Sequence, residues 1–225
     1  MASNPEVARE LFAPLAPGYE RWSAVLSMGQ DPRWRRRLVR GLDLPSGSRV
    51  LDLAAGTGQI SRLLAAAGHR VVAVDLSPEM VAGGRFPGPV VLASGETLPF
   101  RSRSFDGVTF GYLLRYVDDV AACLAGVADV LRPGGRLGML EFARPQGPLR
   151  PAWWLYTHAV LPAAGAVVGS GWRRVGGFLG PSIDRFADHW SPDVLAQAWE
   201  RAGFERVRFE LMSLGGGLVM WGTRS

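Results

Sequence analysis

An apolar run leads directly into a glycine-bearing turn in the stretch Val50-Leu-Asp-Leu-Ala-Ala-Gly-Thr-Gly58. A second apolar run, residues 71–75, ends in Asp75. In a parallel sheet the carboxyl ends of strands meet at one edge, so we expect this turn and Asp75 to lie side by side. Small residues let a ligand approach the backbone, and a carboxylate on the next strand accepts hydrogen bonds from a ribose diol. The pattern therefore predicts a site for a nucleoside-containing cofactor.

The charge next to this turn narrows the choice of cofactor. Asp52 precedes the two glycines, Gly56 and Gly58. A carboxylate at this position repels a pyrophosphate but suits a cationic ligand. S-adenosylmethionine carries a sulfonium and an ammonium group and no phosphate, so it is favoured over a dinucleotide. The alternatives are a nucleotide-dependent oxidoreductase and an ordinary turn that binds nothing.

The composition predicts one globular domain. The chain has 225 residues, of which 48% are hydrophobic, and a net charge of +5. Its arginine cluster (Arg33, Arg35, Arg36 and Arg37) is interpreted as the solvated face of an amphipathic helix, with anionic lipid or nucleic acid as alternatives. Because no aromatic and basic platform accompanies the cluster, we expect no nucleic-acid partner. The only cysteine, Cys123, lies in an apolar segment and is expected to be a buried thiol, and the scattered histidines predict no metal site.

Two segments bear on the location of the protein. The first residues, Met-Ala-Ser-Asn-Pro-Glu, lack the basic start and apolar core of a signal peptide, which predicts a cytoplasmic protein. Residues 151–172 contain no charged side chain other than a histidine and are long enough to span a bilayer. Prolines and glycines interrupt them, so we expect a broken apolar helix that covers a site or rests on the inner face of a membrane. A membrane span is the alternative.

Strands and helices alternate along the middle of the chain. We expect strands at residues 49–53, 70–75, 89–93, 106–111, 136–142, 205–212 and 217–222, with helices between most of them. This alternation favours an α/β fold with a doubly wound, mostly parallel seven-stranded sheet, closed by an antiparallel hairpin. The single domain is predicted to comprise an N-terminal helical cap (1–45), a cofactor-binding core (46–145), an apolar helical lid (146–190) and a C-terminal helix and hairpin (191–225).

Motifs along nearly the whole chain are similar to those of one known family. They are Leu11-Phe12 through Tyr19-Glu20, Leu26-Ser-Met-Gly29 with Trp34-Arg35, the turn at residues 50–58, Leu98-Pro-Phe100, Ser104-Phe-Asp106, Val130-Leu-Arg-Pro-Gly-Gly135, Glu141-Phe142 and Ser182-Ile183 with Phe186. On these motifs the chain resembles the ubiquinone/menaquinone biosynthesis C-methyltransferase family, within the Rossmann-like class I S-adenosylmethionine-dependent methyltransferases. The motifs outside the turn are the more specific ones.

The resemblance implies an S-adenosylmethionine site. It puts Thr57, Asp75, Ser94, Gly95 and Gly111 at cofactor-contact positions. The full set of predicted cofactor-binding residues is Asp52, Ala54, Gly56, Thr57, Gly58, Asp75, Leu76, Met80, Ser94, Gly95, Glu96 and Gly111.

Several residues depart from the family pattern. Ser94-Gly95 replaces the usual Asp-Ala, which removes a carboxylate near the adenine amino group. Gly111 stands where the family has a serine, and Tyr116 stands where it has an asparagine, although Arg115 is kept. At the N-terminus, Tyr19-Glu20 with Ser23 replaces a Tyr-Asp…Asn pattern. These changes surround the expected substrate pocket, so they affect the prediction of the methyl acceptor more than the prediction of the cofactor.

The resemblance implies ring C-methylation of a prenylated quinol such as demethylmenaquinol. Arg115 is predicted to stabilise a developing phenolate, and Tyr116 or His158 to relay the proton; the alternatives are an Arg115 ion pair with Asp118 or Asp119 and simple packing of His158. The predicted substrate-binding residues are Tyr19, Trp22, Met28, Trp34, Tyr112, Trp153 and Tyr156, with ordinary core packing as the alternative. Another acceptor methylated on O, N or C, and a binding protein without chemistry, are the rival functions. The sequence leaves the oligomeric state open.

Overall fold

The computed structural model describes residues 4–225 and contains a seven-stranded sheet with the strand order β3-β2-β1-β4-β5-β7-β6. The strands are β1 (Arg49–Leu53), β2 (Arg70–Asp75), β3 (Val90–Leu92), β4 (Phe105–Gly111), β5 (Leu131–Phe142), β6 (Phe204–Met212) and β7 (Gly217–Arg224). Residues 1–3 lie outside the described part of the chain. They include the first residues of the predicted N-terminal helical cap and of the segment that lacks the features of a signal peptide.

The first five strands run parallel and the last two are antiparallel to their neighbours. β1 and β4 are the central parallel strands, and their side chains are buried on both faces, as expected for a sheet covered by helices on each side. The strand order reverses between β1 and β4, which opens a crevice at the carboxyl ends of these strands. The predicted fold class is confirmed.

Ten helices cover the sheet and its upper edge in the part described here. They are α1 (Asn4–Phe12), α2 (Tyr19–Leu26), α3 (Gln30–Gly41), α4 (Gln59–Ala66), α5 (Pro78–Ala82), α6 (Val120–Val130), α7 (Arg150–Leu155), α8 (Leu161–Val168), α9 (Ser170–His189) and α10 (Pro192–Arg201). Short 3-10 turns, Ala13–Leu15, Leu114–Tyr116, Gly147–Leu149 and Ser213–Gly215, and a π turn, Tyr156–Val160, join some of them.

Two hydrophobic clusters hold the helices on opposite faces of the sheet. On one face α6 and α10 pack through Leu124, Val127 and Trp199. On the other face α3 and α4 pack through Leu38 and Leu64. All five side chains are fully buried, so each face of the sheet is sealed from water. Cys123 lies in the first cluster as a buried free thiol, as predicted.

Two local predictions need correction. The pair Asp31-Pro32 predicts a helix with Asp31 as its N-cap and Pro32 at its first position. In the structure α3 begins at Gln30 after Gly29, which adopts a left-handed conformation with φ of 74°. Asp31 therefore lies inside the first turn of α3. β5 begins at Leu131 rather than at residue 136, because Leu131 pairs with Phe105 before an irregularity in the ladder between β4 and β5.

The uncharged segment 151–172 is broken, as its prolines and glycines predict. It forms α7, the π turn, α8 and the first residues of α9, and the chain reverses at Gly169. Helices α8 and α9 pack closely because Gly165 and Gly176 place almost no volume between them. No helix within residues 4–225 has the length and apolar character needed to cross a membrane.

The packing of α8 on α9 yields a stability prediction. A Cβ on Gly176 would lie 2.8 Å from the Leu161 carbonyl oxygen, whereas a Cβ on neighbouring Gly177 would meet open space. We expect Gly176→Ala to lower the free energy of unfolding by about 1–3 kcal/mol, because backbone must move. Gly177→Ala should raise the free energy of unfolding by roughly 0.5–1 kcal/mol, because alanine reduces the conformational entropy of the unfolded chain. Urea denaturation of both variants measures this, and equal shifts in the same direction would contradict it.

Candidate active site

A deep cavity opens at the carboxyl ends of β1, β2 and β4, under the α7–α9 segment and beside α1 and α2. It brings together most of the predicted site residues. Those that line it are Ala54, Gly56, Thr57, Asp75, Leu76, Met80, Ser94, Gly95, Glu96 and Gly111 on one side, and Tyr19, Tyr112, Arg115, Tyr116, Trp153 and Tyr156 on the other.

Asp75 organises the glycine-bearing turn. Its Oδ2 accepts a hydrogen bond from the Gly56 amide at 2.7 Å, and its Oδ1 accepts one from the Ser77 amide at 2.9 Å. Burial raises the pKa of Asp75, and these two amide hydrogen bonds lower it in part. Each carboxylate oxygen keeps a lone pair for a further donor. The arrangement can accept both hydroxyls of a ribose.

Backbone conformation shapes the same turn. Ala54 and Gly56 both adopt left-handed conformations, with φ of 53° and 59°. The buried Oγ1 of Thr57 and Nε2 of Gln59 have no hydrogen-bond partner among the described residues, and both residues line the cavity. An unpaired buried polar atom is costly, so these two atoms indicate a polar ligand at the turn. Together with the acids Asp75 and Glu96, the turn fits a cationic nucleoside such as S-adenosylmethionine.

Asp52 lies beneath the turn and does not line the cavity, which corrects its prediction as a direct contact. It is fully buried, and it accepts hydrogen bonds from Ser61 Oγ at 2.6 Å and from Thr109 Oγ1 at 3.1 Å. Burial raises the pKa of Asp52 to about 6, although both hydroxyls lower it. Asp52 can therefore influence a ligand only through its electrostatic field and by holding the turn in shape.

Gly58 is also a structural residue rather than part of the cavity wall. It caps α4 in a left-handed conformation with φ of 83°, and a Cβ there would lie 2.6 Å from the Arg85 carbonyl oxygen. The close approach of this carbonyl, in addition to the backbone conformation, requires glycine.

Three apolar residues predicted to bind substrate lie elsewhere. Trp34 is buried behind the cavity, where its Nε1 donates to Ser213 Oγ at 2.9 Å and its ring meets Phe142 edge to face. Met28 is 70% exposed in the turn between α2 and α3. Trp22 packs against the small cluster formed by α1 and α9, outside the cavity lining. Core packing and surface exposure account for these three residues.

His158 points away from the cavity, so it is misplaced as a catalytic residue. Its ring stacks on Trp154 with centroids 4.9 Å apart, and its Nε2 lies 3.4 Å from Asp184 Oδ2. The π turn between α7 and α8 rotates this side chain toward α9, a shift that helical periodicity does not reveal.

Aromatic rings from the N-terminal helices, the segment after β4, the end of β5 and α9 line a second part of the cavity, which we call the aromatic half. Tyr19 stacks on Trp172 with centroids 5.9 Å apart, and Tyr116 meets Phe12 edge to face at 5.7 Å. Tyr112 stacks on Phe142 at 4.7 Å. Such pairs fix the orientation of each ring. This half of the cavity can hold a planar, apolar molecule.

Arg115 is a buried cation in this aromatic half. Its Nε donates to Glu141 Oε1 at 2.8 Å, and its Nη1 donates weakly to Ser182 Oγ at 3.4 Å. Burial lowers the pKa of Arg115, but Glu141 and neighbouring groups raise it by more, so the side chain stays charged. The alternative pairing with Asp118 or Asp119 is wrong, because Arg115 turns inward to β5.

Asp31 and Arg35 are site residues that sequence reasoning missed. Both are buried and line the cavity, and Arg35 Nε lies 3.0 and 2.9 Å from the two Asp31 oxygens. Tyr112 Oη donates to Asp31 Oδ1 at 2.7 Å. The arginine cluster predicts a solvated helix face for Arg35, which is wrong for this residue. The missed signal was an Asp–Arg pair four residues apart on a helix that also buries Trp34.

Solved structures share this architecture. One is described as a possible histamine N-methyltransferase from Thermotoga maritima (TM-score 0.64, 20% identity, covering 96% of this chain and 99% of that chain). Another is phosphoethanolamine N-methyltransferase 2 from Haemonchus contortus, in complex with S-adenosyl-L-methionine (TM-score 0.64, 13% identity, covering 85% and 52%). At these identities the likeness concerns the fold. The fold is that of class I methyltransferases, and the acidic cavity at its strand ends fits S-adenosylmethionine.

Sequence comparison adds the family. The chain belongs to the ubiE/COQ5 methyltransferase family, whose profile matches residues 1–224. A demethylmenaquinone methyltransferase of Corynebacterium urealyticum is 36% identical over 221 residues, covering 96% of each chain. A ubiquinone/menaquinone biosynthesis C-methyltransferase of Rubrivivax gelatinosus is 35% identical over 221 residues, covering 96% of this chain and 86% of the relative. The resemblance found in the sequence motifs is confirmed, as are the enzyme class and its cofactor.

The raised pKa of Asp52 predicts a pH-dependent stability. Since the folded chain binds this proton more tightly than the unfolded chain, Asp52 favours folding below its ordinary pKa of 3.8 and loses that contribution as the pH rises to about 6. Asp52→Asn should therefore gain up to about 3 kcal/mol relative to the wild type between roughly pH 4 and pH 7. Chemical denaturation across this range measures it. Asp43→Asn, at an exposed carboxylate, is the control, and a pH-independent difference for Asp52→Asn would contradict the prediction.

Proposed function

We propose that this chain methylates a ring carbon of a reduced, prenylated quinone precursor such as demethylmenaquinol. The observation that carries the proposal is the aromatic half of the cavity together with the buried, permanently charged Arg115 beside it. A planar quinol ring fits between such walls, and its ionised hydroxyl needs a buried cation. The names of the relatives from Corynebacterium urealyticum and Rubrivivax gelatinosus support the same acceptor class.

In this proposal the turn half of the cavity holds the cofactor. Asp75 accepts hydrogen bonds from the ribose hydroxyls, and its bond to the Gly56 amide keeps the turn open for the adenosyl group. Ser94, Gly95 and Glu96 follow β3 and flank the adenine, with the Ser94 hydroxyl in place of the family's carboxylate. When bound, S-adenosylmethionine supplies a methyl group on a positively charged sulfur.

The aromatic half orients the acceptor and excludes water. Tyr19 and Trp172 present one stacked wall, which holds a flat ring in a fixed plane. Arg115 stabilises the phenolate that makes the neighbouring ring carbon nucleophilic, and Glu141 holds the guanidinium in place. The Tyr116 hydroxyl is buried without a hydrogen-bond partner among residues 4–225, so it is placed to contact the quinol hydroxyl and to pass its proton on to solvent. After the methyl group has bonded to the ring carbon, the proton on that carbon also leaves to solvent, which restores the aromatic ring. His158 has no part in this scheme.

A direct assay tests the acceptor. Purified protein, S-adenosylmethionine and a short-chain prenylated naphthoquinol should yield S-adenosylhomocysteine and a quinone one methyl group heavier, identified by mass spectrometry. The oxidised quinone should not react, because it has no hydroxyl to ionise. If only unrelated phenols, amines or lipids are methylated, the rival acceptor class is correct; that outcome fits the departures at Gly111 and Tyr116.

Removal of the buried cation tests the mechanism. Arg115→Met combined with Glu141→Gln avoids leaving an unpaired buried carboxylate. We expect turnover to fall by roughly 10²–10³, the usual loss when a group that stabilises an oxyanion is removed. The dissociation constant for S-adenosylhomocysteine, measured by calorimetry, should change little. Glu141→Gln alone is the control, and unchanged turnover in the double variant would remove Arg115 from the mechanism.

We also propose that the outer face of the lid meets an anionic membrane. The exposed residues between Arg150 and Ser170 are all apolar, and they include Trp154 at 55%, Leu155 at 54%, Val160 at 49% and Val167 at 89%. This apolar face is framed by exposed arginines, Arg150 at one end and Arg173 and Arg174 at the other, none of which forms an ion pair with a described residue. Apolar area flanked by cations is typical of peripheral binding to anionic lipid.

Vesicle binding tests this surface. The double variant Trp154→Ser with Leu155→Ser should bind vesicles of phosphatidylcholine and phosphatidylglycerol at least about tenfold more weakly than wild type, because two exposed apolar anchors are lost. Sedimentation measures the bound fraction, and high salt should weaken wild-type binding. Leu211→Ser, at an apolar residue equally exposed on β6, is the control. Equal binding by all three proteins would contradict the proposal.

A further inference from the structure

Arg35 combines deep burial with an incompletely used guanidinium. The residue is 7% exposed, and its Nε is held by both oxygens of Asp31. Within residues 4–225, its terminal nitrogens, Nη1 and Nη2, have no hydrogen-bond partner, although the residue lines the cavity. Four N–H groups of this charged side chain therefore have no protein acceptor and are open to the cavity. A charged donor forms strong hydrogen bonds with an anion, so these groups are available to an anionic part of a ligand.

The position of these N–H groups identifies the part of the cavity that they serve. A Cβ built on Gly111, at the end of β4, would lie 3.7 Å from Arg35 Nη1 and 3.2 Å from Ile60 Cδ1. Ile60 belongs to the first turn of α4, which follows the glycine-bearing turn. The guanidinium thus lies between the end of β4 and the turn after β1, on the far side of the turn from β3. Asp75 and Ser94, which are placed to hold the adenosine, lie toward β3.

We infer that Arg35 binds the α-carboxylate of the cofactor's amino-acid portion. This carboxylate is the only anion in S-adenosylmethionine, and a guanidinium binds a carboxylate through two parallel hydrogen bonds. Gly111 leaves the approach open, at the position where the resemblance places a serine in relatives. Arg35 therefore reaches the cavity with no side chain from position 111 between its Nη1 and a ligand. The inference rests on the cofactor and not on the proposed quinol acceptor.

Asp31 and Tyr112 act as positioning residues for this arginine. Asp31 fixes the Nε edge of the guanidinium, which leaves the opposite edge free. Tyr112 donates its hydroxyl hydrogen to Asp31 and places its ring beneath the guanidinium, 5.4 Å from the ring centroid. A preoriented fork loses little entropy on binding. The pair of opposite charges also keeps the cavity wall neutral before the ligand arrives.

A binding cycle that varies both protein and ligand tests the inference. The ligands are S-adenosylhomocysteine and its decarboxylated analogue, which differ by the carboxylate alone. We expect wild type to prefer the first by roughly ten- to hundredfold, the effect of hydrogen bonds to a charged group. Arg35→Met should reduce this preference to less than about threefold and leave the affinity for the decarboxylated ligand nearly unchanged. Calorimetry without any methyl acceptor gives all four dissociation constants.

A matched control and a conservative variant complete the experiment. Arg36→Met removes the same charge from the neighbouring, exposed position of α3 and should keep the full preference. Arg35→Lys keeps the charge but loses the fork, so an intermediate preference is expected. Asp31→Asn with Arg35→Met removes the buried pair together, which covers the case in which Arg35→Met alone fails to fold.

Three results would overturn the inference. The inference is overturned by wild type alone if it binds S-adenosylhomocysteine less than about threefold more tightly than the decarboxylated analogue, because the carboxylate then has no buried partner. A full preference in Arg35→Met means that another group binds the carboxylate. A parallel loss of affinity for both ligands means that Arg35 only supports the cavity wall. Because no acceptor is present, none of these results depends on the identity of the methylated molecule.

Discussion

The reversal of strand order between β1 and β4 is the constraint on which the rest of the molecule depends. At this point the connections that leave the two strands pass to different sides, so no helix fills the space above their carboxyl ends. The crevice exposes strand ends, a tight turn and the Asp75 carboxylate together. The N-terminal helices and the α7–α9 segment cover these polar groups with apolar and aromatic side chains. The result is a cavity with one polar and one aromatic half.

Two buried ion pairs lie at the wall of that cavity, and we assign a different role to each. The side chains of Arg35 and Arg115 are both buried, and each is paired with a carboxylate, Arg35 with Asp31 and Arg115 with Glu141. A single buried charge would be costly, whereas a pair neutralises the wall and still presents unused N–H groups to a ligand. Arg35 lies between the end of β4 and the glycine-bearing turn, whereas Arg115 lies against Glu141 of β5. The two guanidinium groups can therefore serve two different anions, the carboxylate of the methyl donor and the phenolate of the methyl acceptor.

Local patterns predicted the sheet well because they follow from short-range physics. Apolar runs bounded by turn residues fixed β1, β2 and β4 to within a residue, and the loop at residues 213–216 joins two antiparallel strands as expected. The same reasoning failed at α3, where Asp31 was interpreted as a helix cap and Arg35 as a solvated residue. Sequence spacing shows that the two side chains can meet, but it does not show which helix face is buried. Likewise, the π turn moved His158 away from the cavity.

By itself the sequence determined the fold class, the family and the cofactor, because these depend on motifs whose residues are adjacent in the chain or share a strand edge. Only the tertiary structure decided which side chains line the cavity. The packing of α3 on β5 and β7 brings Arg35 to Gly111 at the end of β4, and the inward turn of Arg115 joins it to Glu141 rather than to Asp118 or Asp119. Such contacts join residues far apart in sequence, and they follow from the burial of whole helix faces rather than from any local preference.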